Sequence, residues 1–450
     1  MPSPTPFRRT LLLAALAPAA ILFPNTDGTL NAQSASPTRI TVNFHPALPA
    51  IPSTPFVVTA FGAVGDGSTD NTRALQAAID AASRAGGGTV DIPAGIFLCG
   101  PLQLKSRIAL HLDPKAVFRM LPLGRYPGGT VNPESFIRGA RLHDIAITGG
   151  GTIDGQGQPW WPYAKTKGAR RPRMIALNSC DRILIEQVTL ENSPMFHIAI
   201  SGQSHDVTVR GVTIRAPAST DPVTPSHNTD ACDVSAHRVL VEDCNVSVGD
   251  DDFTTGGHTS DVVIANCTYG YGHGVSIGSP IRGGVSNVTV VNCTFNHTEC
   301  GIRIKSDRDR GDIVQHMLYE NLRMTDVGCP ILIYGAYMAK NRRYRDLNKL
   351  TPAIAASYPA APLRDTTPVY RDIIFRNITA TVTPGHRAGL IWGLPEAPAS
   401  DIVLDHVSIT ADRPFGIYDA ENVKLINCSI QTPDGVPPVV TARATASLSP

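Results

Sequence analysis

A short pattern returns down the chain and constrains the fold more than any other feature: apolar, any, apolar, any, a small or polar residue, apolar. It reads Ile183-Leu184-Ile185-Glu186-Gln187-Val188, then Val207 to Val212, Val239 to Cys244, Val262 to Cys267 and Val288 to Cys293. Later copies run Ile373 to Ile378, Ile402 to Val407 and Val423 to Cys428, and a weaker one runs Met317 to Leu322. The third residue of each copy falls at 185, 209, 241, 264, 290, 319, 375, 404 and 425, so spacings lie between 21 and 32 residues, with one gap of 56. A period in this range marks a solenoid or array, and alternation of period two makes the repeated unit a strand. A propeller blade would need about 40 residues or more. The expectation is an all-β fold: a single-stranded, right-handed parallel β-helix (solenoid). The gap of 56 is expected to span two coils, one of them masked by an insertion.

The register also bears on the nine cysteines. Cys244, Cys267, Cys293 and Cys428 occupy the slot held elsewhere by Val188, Val212, Leu322, Ile378 and Val407. There a cysteine acts as a small buried hydrophobe. Cys99, Cys180, Cys300 and Cys329 remain free to pair. Near the N-terminus, Asp70 is placed to cap a helix from Asn71 to about Arg84. Leu75, Ala78, Ile79 and Ala82 form its apolar stripe, and Gly86-Gly87-Gly88 stops it. Such an N-terminal capping helix would cover the open end of a solenoid.

Before this lies a segment with the marks of an export signal. Arg8-Arg9 precede an apolar run from Leu11 to Phe23, too short to span a bilayer. Cleavage after Ala32 would leave residues 33–450 as a single β-helix domain, secreted or periplasmic. The arginine pair also resembles a twin-arginine signal. Removing residues 1–32 brings the formal charge from +1 to zero. No global field then attracts a polyanion, so recognition of one would rest on a local basic patch. Neither a nucleic-acid footprint, a phosphate loop nor a metal-ligand spacing is present. The expectations are no nucleic-acid or membrane partner, no cofactor, no metal and a monomer.

A second strand line follows the first. In Ile302-Arg303-Ile304-Lys305, alternation turns the isoleucines inward and Arg303 and Lys305 outward. Val275, Phe253 and Cys232 take the place of Ile302 on the three preceding coils. Two residues before each stand Asp230, Asp251, His273 and Cys300. Stacked strands lie roughly 4.7–4.9 Å apart, so Asp230, Asp251 and His273 form a column, flanked by Asp250 and Asp252. Like charges at that spacing repel, and clustered carboxylates of this kind mark functional sites. Their chemistry suits inverting glycoside hydrolysis, with one carboxyl protonating the leaving oxygen and another activating water. Crowding raises the pKa of one carboxyl and so keeps an acid available. Arg303 and Lys305 can hold a sugar carboxylate.

With these residues in place, the chain resembles glycoside hydrolase family 28, the polygalacturonases. Asn228-Thr229-Asp230, Gly249-Asp250-Asp251, Gly272-His273-Gly274 and Arg303-Ile304-Lys305 stand in family order and spacing. Phe61 to Gly67, Gly151-Thr152-Ile153-Asp154-Gly155 and Glu191-Asn192-Ser193-Pro194 are also similar. The resemblance covers residues 55–339 well. It implies that Asp250 is the general acid and that Asp230 and Asp251 activate the water. It further implies that His273 tunes the acid or binds substrate, and that Asn228, Arg303, Lys305 and Tyr337 contact an acidic plant cell-wall polysaccharide. Tyr337 also reads as a packing aromatic. In this chain Asp252-Phe253 follow the Asp pair where the family has Cys or Ala and then Ile, and Ala231 replaces a Gly. Residues 338–366 break the repeat and carry Lys340, Arg342, Arg343, Arg345 and Lys349, either as a basic lip on the cleft or as a solvated loop. Alternatives are a rhamnogalacturonan or other substituted-pectin hydrolase, a calcium-dependent pectate lyase using Arg210 or Arg215, and a silent carbohydrate-binding adhesin.

Overall fold

The computed structural model describes residues 39–449. The expected export segment lies outside these residues. Within them, thirty-two strands pair in parallel into one continuous sheet that winds as a parallel β-helix. The nine copies of the sequence pattern stack in a single register. Ile183 pairs with Val207, Val207 with Val239, Val239 with Val262, and Val262 with Val288. Val288 then pairs with Met317, Met317 with Ile373, Ile373 with Ile402, and Ile402 with Val423. Their inward side chains form the apolar core of the coil. Two earlier coils extend the line through Ile108 and Ile145.

The fifth position of the pattern has a backbone reason. Gln187, Asp243, Asn266, Asn292, Asn321, Asn377, His406 and Asn427 all have φ between 51° and 59°, and Gly211 has φ of 60°. Each coil turns a corner there in the left-handed region, which Asn, Asp and Gly enter at least cost. The corner side chains then pair from coil to coil, as Asn377 does in donating to Asn321 Oδ1 at 3.1 Å. Residues 39–50 run back along another face of the coil. Arg39 pairs with Asp243, and the backbone N–H groups of Ala47 and Ala50 donate to Asp206 and Asp144.

The helix spans Thr72–Arg84 and buries Leu75, Ala78, Ile79 and Ala82. It begins one residue later than the sequence pattern places it. Asp70 Oδ1 still accepts from Thr72 N at 3.0 Å, whereas the Asn71 side chain is drawn away to Val64. All nine cysteines are free thiols, and Cys244, Cys267 and Cys293 lie stacked in the core. No described helix is long and apolar enough to cross a membrane.

One expectation is corrected. The gap of 56 residues is one coil, not two, because Tyr319 pairs directly with Phe375. The extra length is the insertion, which folds on the outside around Tyr344, Leu350, Ala355 and Tyr358. These pack with Tyr334, Trp392 and Tyr418 in a second apolar cluster. Tyr319 and Phe375 stack across the gap at 5.0 Å between ring centroids, both fully buried. A double-mutant cycle with Tyr319→Leu and Phe375→Leu should give a coupling energy of about 0.5–1.5 kcal/mol in urea unfolding. Strict additivity would place an unseen coil between them.

Candidate active site

The second strand line carries the site. Strands Phe253–Thr255, Val275–Ile277 and Cys300–Lys305 stack so that Phe253 pairs with Val275 and Val275 with Ile302. Asp233 pairs with Thr254, which puts Cys232 beside Phe253 as the spacing implied. Asp230 and Asp250 to Asp252 sit on the turns that lead into these strands. Backbone bonds fix their spacing: Ala231 N donates to Asp251 O at 2.9 Å, and His273 N donates to Asp250 O at 2.8 Å.

Asp251 is the hub. Only 4% of it is exposed. Ser276 Oγ donates to its Oδ1 at 2.7 Å, Lys305 Nζ to its Oδ2 at 3.0 Å, and Arg303 Nη2 also binds Oδ1. Arg303 and Lys305 do alternate away from the core, but they are buried and committed to Asp251 instead of facing solvent. Burial opposes the Asp251 charge, but these two cations outweigh it and hold the carboxyl well below the usual carboxylate range. Lys305 also lies over the half-buried Tyr337 ring, 5.4 Å from its centroid. Tyr337 packs edge-on against Tyr334, as a packing aromatic would, and also lines a cavity with Arg303.

Asp250 has a different environment. Its Oδ1 accepts from His273 Nδ1 at 3.1 Å and from Asp251 N at 3.0 Å. Asn228 donates to Oδ2 through its backbone N–H at 3.2 Å and its side chain at 3.3 Å. Burial would raise this carboxyl, but the His273 bond and charge leave it lowered. Burial likewise opposes the His273 charge, yet its bonds to Asp250 and Glu299 push its pKa up to about 10. Asp230 receives no such help. Its Oδ1 makes no hydrogen bond, and burial followed by the charges of Asp250 and Asp251 pushes it well above the carboxylate range. Of the three carboxyls, Asp230 is the one whose surroundings favour the protonated form.

Asp252 turns the other way. It is buried, its Oδ2 accepts from Gly274 N at 2.9 Å, and burial pushes its carboxyl well above the usual carboxylate range. A Cβ on Gly272 would come within 2.3 Å of its carboxyl, so glycine is required at that approach.

Four participants were not singled out from the sequence. Glu299 Oε2 lies 3.0 Å from His273 Nε2. Ser276 bonds both Asp251 and Arg303. Arg171 donates to the Pro194 and His227 carbonyls and to Asn228 Oδ1, which ties the Asn192-Ser193-Pro194 turn to the residue capping Asp250. His197, fully buried and pushed down to about 4 by burial, accepts from Ser193 N and donates to the Thr229 carbonyl beneath Asp230. The last two are separated in sequence from the motifs that they support.

A cleft of about 380 Å³ holds Asp230, Asp233, Asp251 and Lys305, with Ser279 and Thr254 on its walls. Beyond Arg303 a cavity of about 420 Å³ is roofed by Arg345 and Asn348 of the insertion, which thus forms a folded lip. One ligand atom each of Asp250, Asp251 and His273 lies within 4.8 Å of the others, a grouping that could accept a metal. The charge pattern works against it: Asp251 is already bound by two cations and His273 carries a proton. Arg210 pairs with Glu186 and Glu242 on the first strand line, away from this column.

Removing the Asp251 charge would strand Arg303 and Lys305 in a buried site. Asp251→Asn should cost about 3–5 kcal/mol in urea unfolding. Asp230→Asn, which removes a carboxyl with no ion pair and no hydrogen bond at Oδ1, should cost less than about 1 kcal/mol. Equal costs would show that the two carboxyls are in the same charge state.

Comparison with known proteins places the chain among relatives. The chain is 33% identical over 299 residues to a polygalacturonase of Chamaecyparis obtusa, a match covering 63% of this chain but only 57% of that protein. It is 32% identical over 406 residues to an endo-polygalacturonase of Pectobacterium parmentieri, covering 83% of this chain and 91% of that one. The solved structure of a polygalacturonase from Erwinia carotovora ssp. carotovora superposes with a TM-score of 0.65 and 26% identity, covering 86% of this chain and all of that one. The model of the glycosyl hydrolases family 28 matches residues 84–353, and with the charged column inside that span the chain belongs to this family.

Proposed function

We propose that the chain is an exported, monomeric glycosidase that hydrolyses galacturonosyl linkages in pectin, with Asp230, Asp250 and Asp251 as its acid–base machinery. The observation that carries this reading is the unequal charging of three neighbouring buried aspartates. Arg303 and Lys305 bind Asp251 and hold its carboxyl low, Asp250 is paired with His273, and Asp230, with no hydrogen bond at Oδ1, is pushed up by burial and its acidic neighbours. General acid–base cleavage needs such a division between donor and acceptor carboxyls. The relatives named as polygalacturonases supply the substrate class. Arg303, Lys305 and Tyr337 suit the carboxylate and ring face of a galacturonate unit. Because Lys305 also fixes the Asp251 charge, its loss should lower turnover as well as binding.

In the first assignment, the proton passes from Asp230 to Asp250 when substrate binds; Asp250 then protonates the leaving oxygen, while Asp230 and Asp251, now both ionised, orient and deprotonate the water. A second assignment follows from the resting proton: Asp230 donates it, and the Asp250–His273 pair is the base. The stereochemistry is inversion in both. The Asp250 and Asp251 oxygens lie within 4.8 Å, below the roughly 6.5–9.5 Å of inverting pairs and nearer the roughly 5–5.5 Å of retaining ones. Both Asp251 oxygens are engaged by Arg303, Lys305 and Ser276, which disfavours Asp251 as a nucleophile. Inversion thus depends on Asp230 as a third carboxyl.

On polygalacturonate, activity should release reducing ends, persist in chelator and yield no product absorbing in the near ultraviolet. Such a product would establish a lyase. NMR of the first product should show the inverted anomer; retention would rule out both assignments. Asp230→Asn and Asp250→Asn should each lose about 10²–10⁴-fold in kcat. On an aryl galacturonide with a good leaving group, only the variant lacking the acid should regain most of that loss. Recovery by Asp250→Asn supports the first assignment, and recovery by Asp230→Asn the second.

A further inference from the structure

The column that begins with Asp230, Asp251 and His273 continues past the chemistry. Val275 pairs with Ile302, which sets Cys300 next after His273. Cys300 pairs with Cys329. Leu332 pairs with Leu390, which sets Arg387, the first residue of its six-residue strand, next after Cys329. At roughly 4.7–4.9 Å per coil, Arg387 stands about 14 Å along the axis from His273. That is farther than one sugar ring reaches, and on the far side of Arg303 from the aspartates.

Arg387 is 3% exposed and lines the cavity under the lip, together with Arg303, Tyr337 and Arg345. Its Nη2 donates to the Leu350 carbonyl at 2.9 Å, but Nε and Nη1 have no partner. The neighbouring Tyr418 hydroxyl interacts with this guanidinium but supplies no counter-charge. The two acids of the cavity are committed elsewhere, Glu299 to His273 and Asp346 to Lys349. A guanidinium buried without an anion is strongly unfavourable. The open cavity beside it is where an anion can enter.

We propose that Arg387 is an anion-binding residue of a second saccharide subsite, which receives the carboxylate of a galacturonate unit bound beyond the one at Arg303 and Lys305. Arg345, exposed on the lip, flanks the same carboxylate. The inference rests on the pectin reading and deepens it. A substrate long enough to reach this cavity supplies the charge that the free protein lacks, and the insertion roofs the subsite.

The test measures kcat/KM on defined galacturonate oligomers of increasing length for the wild type, Arg387→Gln and Arg345→Gln. The wild type should gain in kcat/KM once the oligomer reaches the cavity. Arg387→Gln should lose about 10- to 100-fold of that gain, the size of a hydrogen bond to a charged group, and the loss should appear in KM rather than kcat. Without substrate its Tm should change little, because the charge removed had no anion and Gln can still donate to the Leu350 carbonyl. If Arg387→Gln does not fold, Arg345→Gln must show a length-dependent loss of about tenfold. An unchanged gain in an active, folded variant overturns the subsite and leaves the pectin reading standing, as does an equal loss at every length. A wild type inactive on every galacturonate oligomer overturns both.

Discussion

The interaction on which the site depends is the buried ion cluster that joins Asp251 to Arg303 and Lys305. Its members come from different coils, so it forms only when the coils are in register. Once formed, it consumes both cations nearest the aspartates. Asp251 is stabilised as an anion, and its neighbours must manage without those charges. Asp250 recruits His273 and Asn228, while Asp230, with no cation within hydrogen-bond reach, favours the protonated form. One ion cluster thus sets three charge states in carboxyls of nearly identical sequence context.

The parallel coil makes this arrangement economical. Each coil advances the chain by one strand spacing, so residues far apart in sequence meet at a fixed separation. Asp230, Asp251, His273, Cys300, Cys329 and Arg387 occupy successive places on one line. The aspartates stand toward one end of that line, and Arg387 lies farther along it beneath the lip, followed on the next strand by Arg413. The apolar core and the left-handed corners hold the register, and the cleft-facing positions are left for charge. Asp252 departs from that division. Its carboxyl faces inward and pins the Gly272–His273–Gly274 turn through Gly274 N.

Much of this was legible because coil stacking converts sequence spacing directly into distance. The nine strand copies and the Asp230–Asp251–His273 column could be read from alternation and period alone. Contacts that depend on side-chain reach were not legible. Arg303 and Lys305 read as outward-facing charges, and only their length and direction commit them to Asp251 two coils away. Arg171 lies in a segment with no repeat to place it, and Glu299, although it directly precedes Cys300 of the column, reaches His273 only through the length of its side chain. The gap of 56 residues was misread because an outward insertion lengthens one coil as much as an added coil would, and only the Tyr319–Phe375 pairing separates the two. The coils through Ile108 and Ile145 lie outside the recognised copies, although they pair in the same line.

The unequal charging of the aspartates is tested most directly by a carbon-13 NMR titration of their carboxyls in the free protein. A carboxyl whose folded pKa is raised stays protonated at pH values where an ordinary aspartate is ionised, and one whose pKa is lowered stays ionised further into acid. The account predicts that Asp230 still carries its proton above the usual aspartate pKa of about 3.9, while Asp251 remains ionised well below it. Assignment by the Asp230→Asn and Asp251→Asn spectra would identify the signals. An Asp230 signal titrating at the ordinary carboxylate pH, or an Asp251 signal protonated above it, would contradict the account.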